Sequence, residues 1–319
     1  METPEAKPYN LPDDAVWLIT GCSSGIGQAL AQHIATAHPA QRVVATARNP
    51  SSLSAIPDGP NVLKLALDVT STASIDAAFA AALAAYARVD VVVNNAGYNV
   101  MGDAEASPAG NGAARALMDA NFWGAVDVSK RALPVFRDVN PNAKSGGQGG
   151  RGGGVIVNVS SLGGFLGSPG NAFYHASKFA LEGFAESLAK EVLPEWNVHV
   201  CCVEPGGVRT SYATTALARR LPRRHAAYDR ADGPTTRMLA FMDALELHAG
   251  FASAGEIAEK IYEVVGGGRK IPIRVPLGKD SWGMVMAETE KVRRELEEWK
   301  EFSCAVGNPE VEGMAKLVK

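Results

Sequence analysis

"AVWLITGCSSGIGQALAQHIATAH", residues 15–38, runs from an unbroken apolar stretch through a glycine-rich turn into an alanine-rich amphipathic segment. An apolar run without alternation marks a strand buried on both faces. The turn carries Gly21, Gly25 and Gly27 in the order Gly-x-x-x-Gly-x-Gly. Strand, glycine turn and helix together bring backbone N–H groups and a helix N-terminus up to a pyrophosphate, and glycine is needed where a Cβ would block that approach. Glycines alone often mark only a tight turn. Here the flanking strand and helix give them a second meaning.

The pattern repeats outward from this stretch. Strands are predicted over 41–48, 61–69 and 89–97, with a helix over 71–87 between them. A helix over about 112–138, a strand over 155–161, a helix over 172–193 and a strand with its turn over 197–207 follow. After Gly207 the pattern weakens, until a capped helix at 253–265 and a short strand at 270–276. Continuous apolar strands separated by helices predict an α/β fold, a doubly wound parallel sheet with helices on both faces. One domain is expected over 15–279, after an N-terminal arm (1–14) and before a C-terminal extension (280–319) with a charged helix over 280–302. Residues 140–154, rich in glycine, read as a surface insertion, and 208–250 as a lid over a substrate.

Composition narrows the partners. The chain has 319 residues, 46% hydrophobic, and a net charge of −3, so nothing recommends nucleic acid. The cluster Arg219, Arg220, Arg223, Arg224 and His225 reads as a solvated loop. No run approaches the ~18 apolar residues of a membrane span, and the polar N-terminus is no signal peptide. Cys22, Cys201, Cys202 and Cys304 show no metal-ligand spacing and read as reduced thiols of a cytoplasmic protein.

Two further features suggest chemistry. Tyr174 stands four residues before Lys178, so phenol and ammonium share one face of the predicted helix. A phenol ionises near pH ~10, and a neighbouring ammonium makes it a better acid. About twenty residues beyond the glycine turn, a fold selecting NAD places an acid on the ribose 2′-hydroxyl. Here Ala47 and Arg48 stand instead. An arginine can grip a 2′-phosphate through charged hydrogen bonds, so NADP(H) is the expected cofactor.

Taken in order, Thr20-Gly-Cys-Ser-Ser-Gly-Ile-Gly27, Asp68-Val69, Asn94-Asn-Ala-Gly97, Asn121, Ser161, Tyr174-x-x-x-Lys178 and Pro205-Gly206 resemble the short-chain dehydrogenase/reductase family over about residues 15–275. The branch is similar to that of the estrogenic 17-beta-hydroxysteroid dehydrogenase and related carbonyl reductases. The resemblance implies a Rossmann-type fold and a catalytic tetrad. Tyr174 would donate a proton to the carbonyl oxygen as hydride arrives. Lys178 would sharpen that acid and hold the nicotinamide ribose. Ser161, at the family spacing of 13 residues before the tyrosine, is preferred to Ser160 and would bind the substrate oxygen. Asn121 would position a water beside Lys178.

The implied cofactor wall comprises Gly21, Ser23, Ser24, Gly25, Ile26 and Gly27, then Arg48, Asp68 and Val69, then Asn94, Ala96 and Gly97. Pro205, Gly206, Val208 and Thr210 complete it, with Tyr174 and Lys178. His175, turned about 100° round the helix, reads as structural. The resulting expectation is an NADP(H)-dependent oxidoreductase for a hydrophobic ketone or secondary alcohol. Alternatives are an NAD-dependent alcohol dehydrogenase and a non-catalytic NADP(H) sensor. Tyr212, Leu217, Leu221, Met238, Leu239 and Phe241 suggest an apolar substrate pocket. Phe179, Ala180, Gly183, Phe184 and Leu188 spread apolar or small surface round the helix, which predicts a homodimer or homotetramer through the helices 112–138 and 172–193.

Overall fold

The computed structural model describes residues 8–110, 112–140, 152–210, 220–221, 224–244 and 250–307. Its centre is a parallel sheet of β1 (Val16–Ile19), β2 (Arg42–Ala47), β3 (Val62–Ala66), β4 (Val91–Asn94), β5 (Gly154–Val159), β6 (Val198–Pro205) and β9 (Arg274–Leu277). The spatial order is β3-β2-β1-β4-β5-β6-β9, with every pair parallel. A parallel pair needs a crossover, and the helices provide it. They are α1 (Gly25–Ala37), α2 (Thr72–Tyr86), α3 (Ala113–Met118), α4 (Gly124–Pro134), α5 (Ala172–Glu191) and, further on, α7 (Ala254–Gly266). This is the single doubly wound α/β domain the sequence predicts.

Alternate residues of each strand feed opposite layers of core. Trp17 and Ile19 of β1 join Leu30 and Ile34 of α1 and Ile257 and Ile261 of α7. Val16 and Leu18 face the other way, with Phe79 of α2, Val128 of α4 and Leu188 of α5. Both faces are dry, so the strands carry no polar alternation. The chain before β1 packs down as well, with Tyr9 buried edge-on against His199.

The helix predicted over 112–138 is a composite. α3 runs into a π turn at Asp119–Trp123, then α4, then a second π turn at Val135–Val139. A π turn adds a residue to the coil and rotates everything beyond it, and such turns are frequent at functional sites. Asn121 lies inside the first. The expected insertion leaves and returns at one place: Asn140 Nδ2 donates to the carbonyls of Val89 (2.6 Å) and Gly153 (2.7 Å). Residues 141–151 between them lie outside the described residues.

The lid region departs from its sequence reading in two respects. It contains a helix the sequence reading missed, α6 (Pro234–Asp243), opened by proline at its first position. Arg224 is also less solvated than expected, whereas Arg220 stays exposed. Arg224 pairs with the fully buried carboxylate of Asp103 at 2.6 Å, and Arg220 pairs with Asp243. Arg219, Arg223, Tyr212 and Leu217 lie outside the described residues. The ends of the predicted lid are joined by two short parallel strands, β7 (Val208–Arg209) and β8 (Ala252–Ser253). After β9, the helix α8 (Lys279–Glu298) runs out from the body, and a last helical turn, Lys300–Ser303, continues it.

Candidate active site

The strand order reverses at β1 and β4, which opens a crevice beyond their carboxyl ends, the general ligand position in such sheets. A cavity of about 600 Å³ fills it, walled by the glycine turn, the ends of β2 to β6 and the first two turns of α5. Gly21 has φ of +71°, and a Cβ there would stand 2.8 Å from the Ala96 backbone. Gly27 could carry no side chain either, because Asn95 occupies the space. Asn95 Nδ2 donates to the carbonyls of Thr20 (2.8 Å) and Gly21 (3.0 Å), and the Thr20 hydroxyl accepts from the N–H groups of Asn95 and Ala96. The glycine turn is thus clamped to the end of β4.

The predicted cofactor residues divide between cavity wall and support. Gly21, Ser23, Ser24, Gly25, Ile26, Arg48, Asp68, Val69, Ala96, Gly97, Pro205, Gly206, Val208 and Thr210 line the cavity, together with Tyr174 and Lys178. Gly27 lies behind it, against Asn95. Asn94 also faces inward: its Nδ2 donates to Ser129 Oγ, Asn158 Oδ1 and the Ala125 carbonyl, joining β4 to β5 and α4. Its neighbour Asn95 takes the place on the wall. Adjacent residues at a strand end point to opposite sides, and the sequence does not say which side is which.

At the far rim, Arg48 is exposed beside Asp68. Asp68 accepts from the N–H (3.0 Å) and hydroxyl (2.8 Å) of Thr70. These bonds, with a smaller contribution from the Arg48 guanidinium, hold its carboxyl below the usual range. At the near rim, α1 begins with Ser24 as N-cap, whose side chain makes no capping bond, and its first turn has no acid. The first N–H groups of that helix therefore point toward the cavity without a side-chain acceptor, which is the chemistry of an anion site.

α5 places the reactive pair. Lys178 is buried, its ammonium donates to the Val159 carbonyl at 2.7 Å, and its Nζ lies 5.7 Å from the Tyr174 ring centre. Ser161 opens on the cavity and accepts from the Gly163 N–H at 3.0 Å. Ser160 is buried, with its Oγ behind Gly164. Asn121 reaches the site through Tyr98: Oδ1 accepts from the Tyr98 N–H (2.9 Å), and Nδ2 donates to the Tyr98 carbonyl (2.8 Å) and Ser177 Oγ (3.1 Å). The π turn thus ties the chain after β4 to α5. His175 is structural, as read. It bonds the Gly163 carbonyl and Ser168 (both 2.8 Å), bracing the loop that carries Ser161, and burial lowers its basicity.

Tyr174 also packs against an apolar cluster outside the cavity wall. Val100, Leu117 and Leu221 form a small cluster against which Tyr98 and Tyr174 pack. Leu221 is buried in this cluster and, like Val100 and Leu117, does not line the described cavity. Leu239 is buried, Met238 half-buried and Phe241 exposed, and none of the three lines the described cavity.

Two groups of supporting residues escaped the sequence reading. Asp280 accepts from the Gly207 N–H at 2.6 Å, and the Ser281 hydroxyl donates to the Glu204 carbonyl at 2.6 Å. The first turn of α8 thereby holds the Pro205–Gly207 turn from behind, and a side chain at Gly206 would strike the Asp280 carboxylate. Below Ser160, Glu182 and Glu204 are buried close together, with Arg274 Nε 3.1 Å and 3.9 Å away. Burial, reinforced by the Glu182 charge, pushes Glu204 up to about 7. Nothing local in the sequence signals either group, since the partners are more than seventy residues apart in the first and more than twenty in the second.

Comparison with known proteins agrees with this geometry. The model of the short chain dehydrogenase family matches residues 15–220. Oxidoreductase calM of Penicillium decumbens is 42% identical over 309 residues, covering 95% of this chain and 97% of that one. Human 17-beta-hydroxysteroid dehydrogenase type 1 is 37% identical over 212 residues, 63% of this chain and 59% of that one. The crystal structure of a short-chain dehydrogenase from Streptomyces avermitilis superposes with a TM-score of 0.75 at 32% identity, covering 92% of this chain and 99% of that one. Among the described residues, no helix is long and apolar enough to cross a membrane, and no group of His, Cys, Asp or Glu could hold a metal ion. The chain belongs to the short chain dehydrogenase family of oxidoreductases.

Proposed function

We propose that this oxidoreductase uses NADP(H) to interconvert a hydrophobic ketone and its secondary alcohol, with Tyr174 as proton donor and acceptor. The observation that carries this reading is the pairing of Tyr174 with the buried Lys178 in a cavity that ends at an uncapped helix N-terminus. The N–H groups of α1 fit a pyrophosphate, and Arg48 at the rim fits a 2′-phosphate. The dinucleotide would supply the hydride. Ser161 would hydrogen-bond the substrate oxygen and set it beside the Tyr174 hydroxyl. Tyr174 would pass its proton to that oxygen during reduction and recover it in the reverse direction. Lys178, fixed by Val159, would stabilise the phenolate left behind. Asn121 would keep the Tyr98 segment and α5 in register.

Tyr98, Ala116 and Ala120 on the cavity wall support an apolar substrate. Phe179 and Trp123, 47% and 54% exposed, support pairing of two subunits through α4 and α5. Of the residues expected on that surface, Leu188 is buried in the core and Phe184 is half-buried against it. The buried Cys22, Cys201 and Cys202 are free thiols, which supports a cytoplasmic setting. Steady-state reduction of a panel of hydrophobic ketones with NADPH and NADH tests the proposal. Turnover should favour NADPH, and Arg48→Ala should raise its KM roughly tenfold, the loss of one exposed charge-assisted contact. NADH kinetics should barely change. Equal losses with both cofactors would remove Arg48 from the 2′-phosphate site.

A further inference from the structure

α8 leaves the body after its first turn and displays an apolar seam that nothing covers among the described residues. Trp282, Val285, Thr289, Val292, Leu296, Trp299 and Ser303 follow one another at spacings of 3, 4, 3, 4, 3 and 4 residues. This is the seam of a left-handed coiled coil, with Trp282, Thr289, Leu296 and Ser303 at a and Val285, Val292 and Trp299 at d. The helix stays hydrogen-bonded through its last turn, from Trp299 N–H to the Glu295 carbonyl and from Ser303 N–H to the Trp299 carbonyl. Trp282 and Leu296 are 60% and 68% exposed, and Val292 and Trp299 are exposed too. Thr289, the polar a residue inside the seam, donates its hydroxyl to the Val285 carbonyl of its own helix at 2.8 Å. It needs no partner across an interface.

The flanks choose the occupant. Glu288 and Glu295 hold the g positions, whereas Arg293 and Lys300 hold e. In a parallel pair of such helices each g residue meets the e residue of the next heptad on the partner, so Glu288 meets Arg293 and Glu295 meets Lys300, in both directions. In an antiparallel pair g faces g and e faces e, which brings like charges together. At present Arg293 pairs with Glu290, and Lys291 with Glu288 and Glu295, within one exposed helix. Such pairs are weak and exchange readily. A lipid surface fits less well, because Lys279 to Phe302 carries seven acidic and five basic side chains, whereas interfacial helices are rich in Lys and Arg.

We propose that α8 and its last turn pair in parallel with the same segment of a second copy of this chain, as a two-stranded coiled coil of about three heptads. The latch of Asp280 and Ser281 on the Pro205–Gly207 turn anchors each helix where it leaves the body. A cysteine probe tests this in the full chain independently of any contact between the globular domains. With Cys304→Ser, whose native thiol is exposed, Val292→Cys places one accessible thiol at a central d position. Mild oxidation at micromolar concentration should link most of the chains as dimers.

Adding Glu288→Lys with Glu295→Lys should slow linking at least tenfold, and so should Arg293→Glu with Lys300→Glu. Mixing the two charge variants should restore it, with the mixed dimer as the product. Helix content by circular dichroism shows that each variant still forms the segment. Failure to link, or linking indifferent to charge reversal and mixing, would overturn the proposal. Either result would leave the seam to the chain's own residues beyond 307, to lipid or to another protein.

Discussion

α5 and α8 are both twenty-residue helices, and the fold uses them in opposite ways. α5 lies against the sheet and buries His175, Ser177, Lys178, Leu181, Glu182, Ala185 and Leu188. α8 buries only Ser281. Four of the seven buried residues on α5 are polar or charged, and each has a partner waiting: Gly163 and Ser168 for His175, Asn121 for Ser177, Val159 for Lys178 and Arg274 for Glu182. A helix packed on a sheet can hold a cation in a dry place, because the sheet end supplies the carbonyl that receives it. A helix in water can only offer its surface. The proposed catalysis therefore belongs to the first helix and the proposed association to the second.

The largest effect that would break this contrast is at Tyr174. Tyr174→Phe deletes one hydroxyl and should lower kcat by ~10²–10⁴-fold, with thermal unfolding and cofactor affinity unchanged. A loss of less than about tenfold would take the proton transfer away from α5. Next comes packing. Leu181→Ala should cost about 2–5 kcal/mol in a urea titration, as for other buried leucines. Met284→Ala, an exposed change off the seam of α8, should stay within about 0.5 kcal/mol. Equal costs would mean that α8 is as embedded as α5.

The first turn of α8 is the exception within the contrast, because it touches the Pro205–Gly207 turn, predicted to hold the cofactor. Asp280→Ala leaves the Gly207 N–H without its acceptor, so the dissociation constant for NADPH should rise about fivefold, the worth of about one hydrogen bond. Calorimetric titration measures it, and an unchanged constant would leave Asp280 no part in the cofactor site.

A further effect is one of pH. Glu204 is raised to about 7 in the fold, above the ordinary glutamate value of ~4.3. The folded state therefore binds this proton more tightly than the unfolded chain. The stabilisation is fully present below the unfolded value and is lost as pH rises toward about 7. Glu204→Gln should flatten the fall in stability across that window, and a profile identical to wild type would show that the buried pair with Glu182 does not titrate there.

Much of this arrangement was legible beforehand for identifiable reasons. The strands of a doubly covered sheet are unbroken apolar runs, so β1, β4 and β5 stand out. The glycine turn and the Tyr174–Lys178 spacing are local features, and local features survive in sequence. What sequence could not show was phase and partnership. Asn94 and Asn95 differ only in which way each points, and the fold gives the wall to Asn95. The π turn that aims Asn121 at Tyr98 leaves an ordinary helical pattern behind. Arg224 looked solvated because its partner, Asp103, lies 121 residues away. The latch between Asp280 and Gly207 was invisible for the same reason.

The most direct measurement follows the hydride. NADPH carrying deuterium at the transferable C4 position is incubated with the protein and a hydrophobic ketone, and the product is examined by mass spectrometry and NMR. The cleft built by α1, β4 and α5 predicts deuterium on the carbinol carbon of the alcohol, formed by the wild type and nearly abolished in Tyr174→Phe. NADPH bound without transfer to any ketone of the panel, or transfer undiminished in Tyr174→Phe, would contradict it.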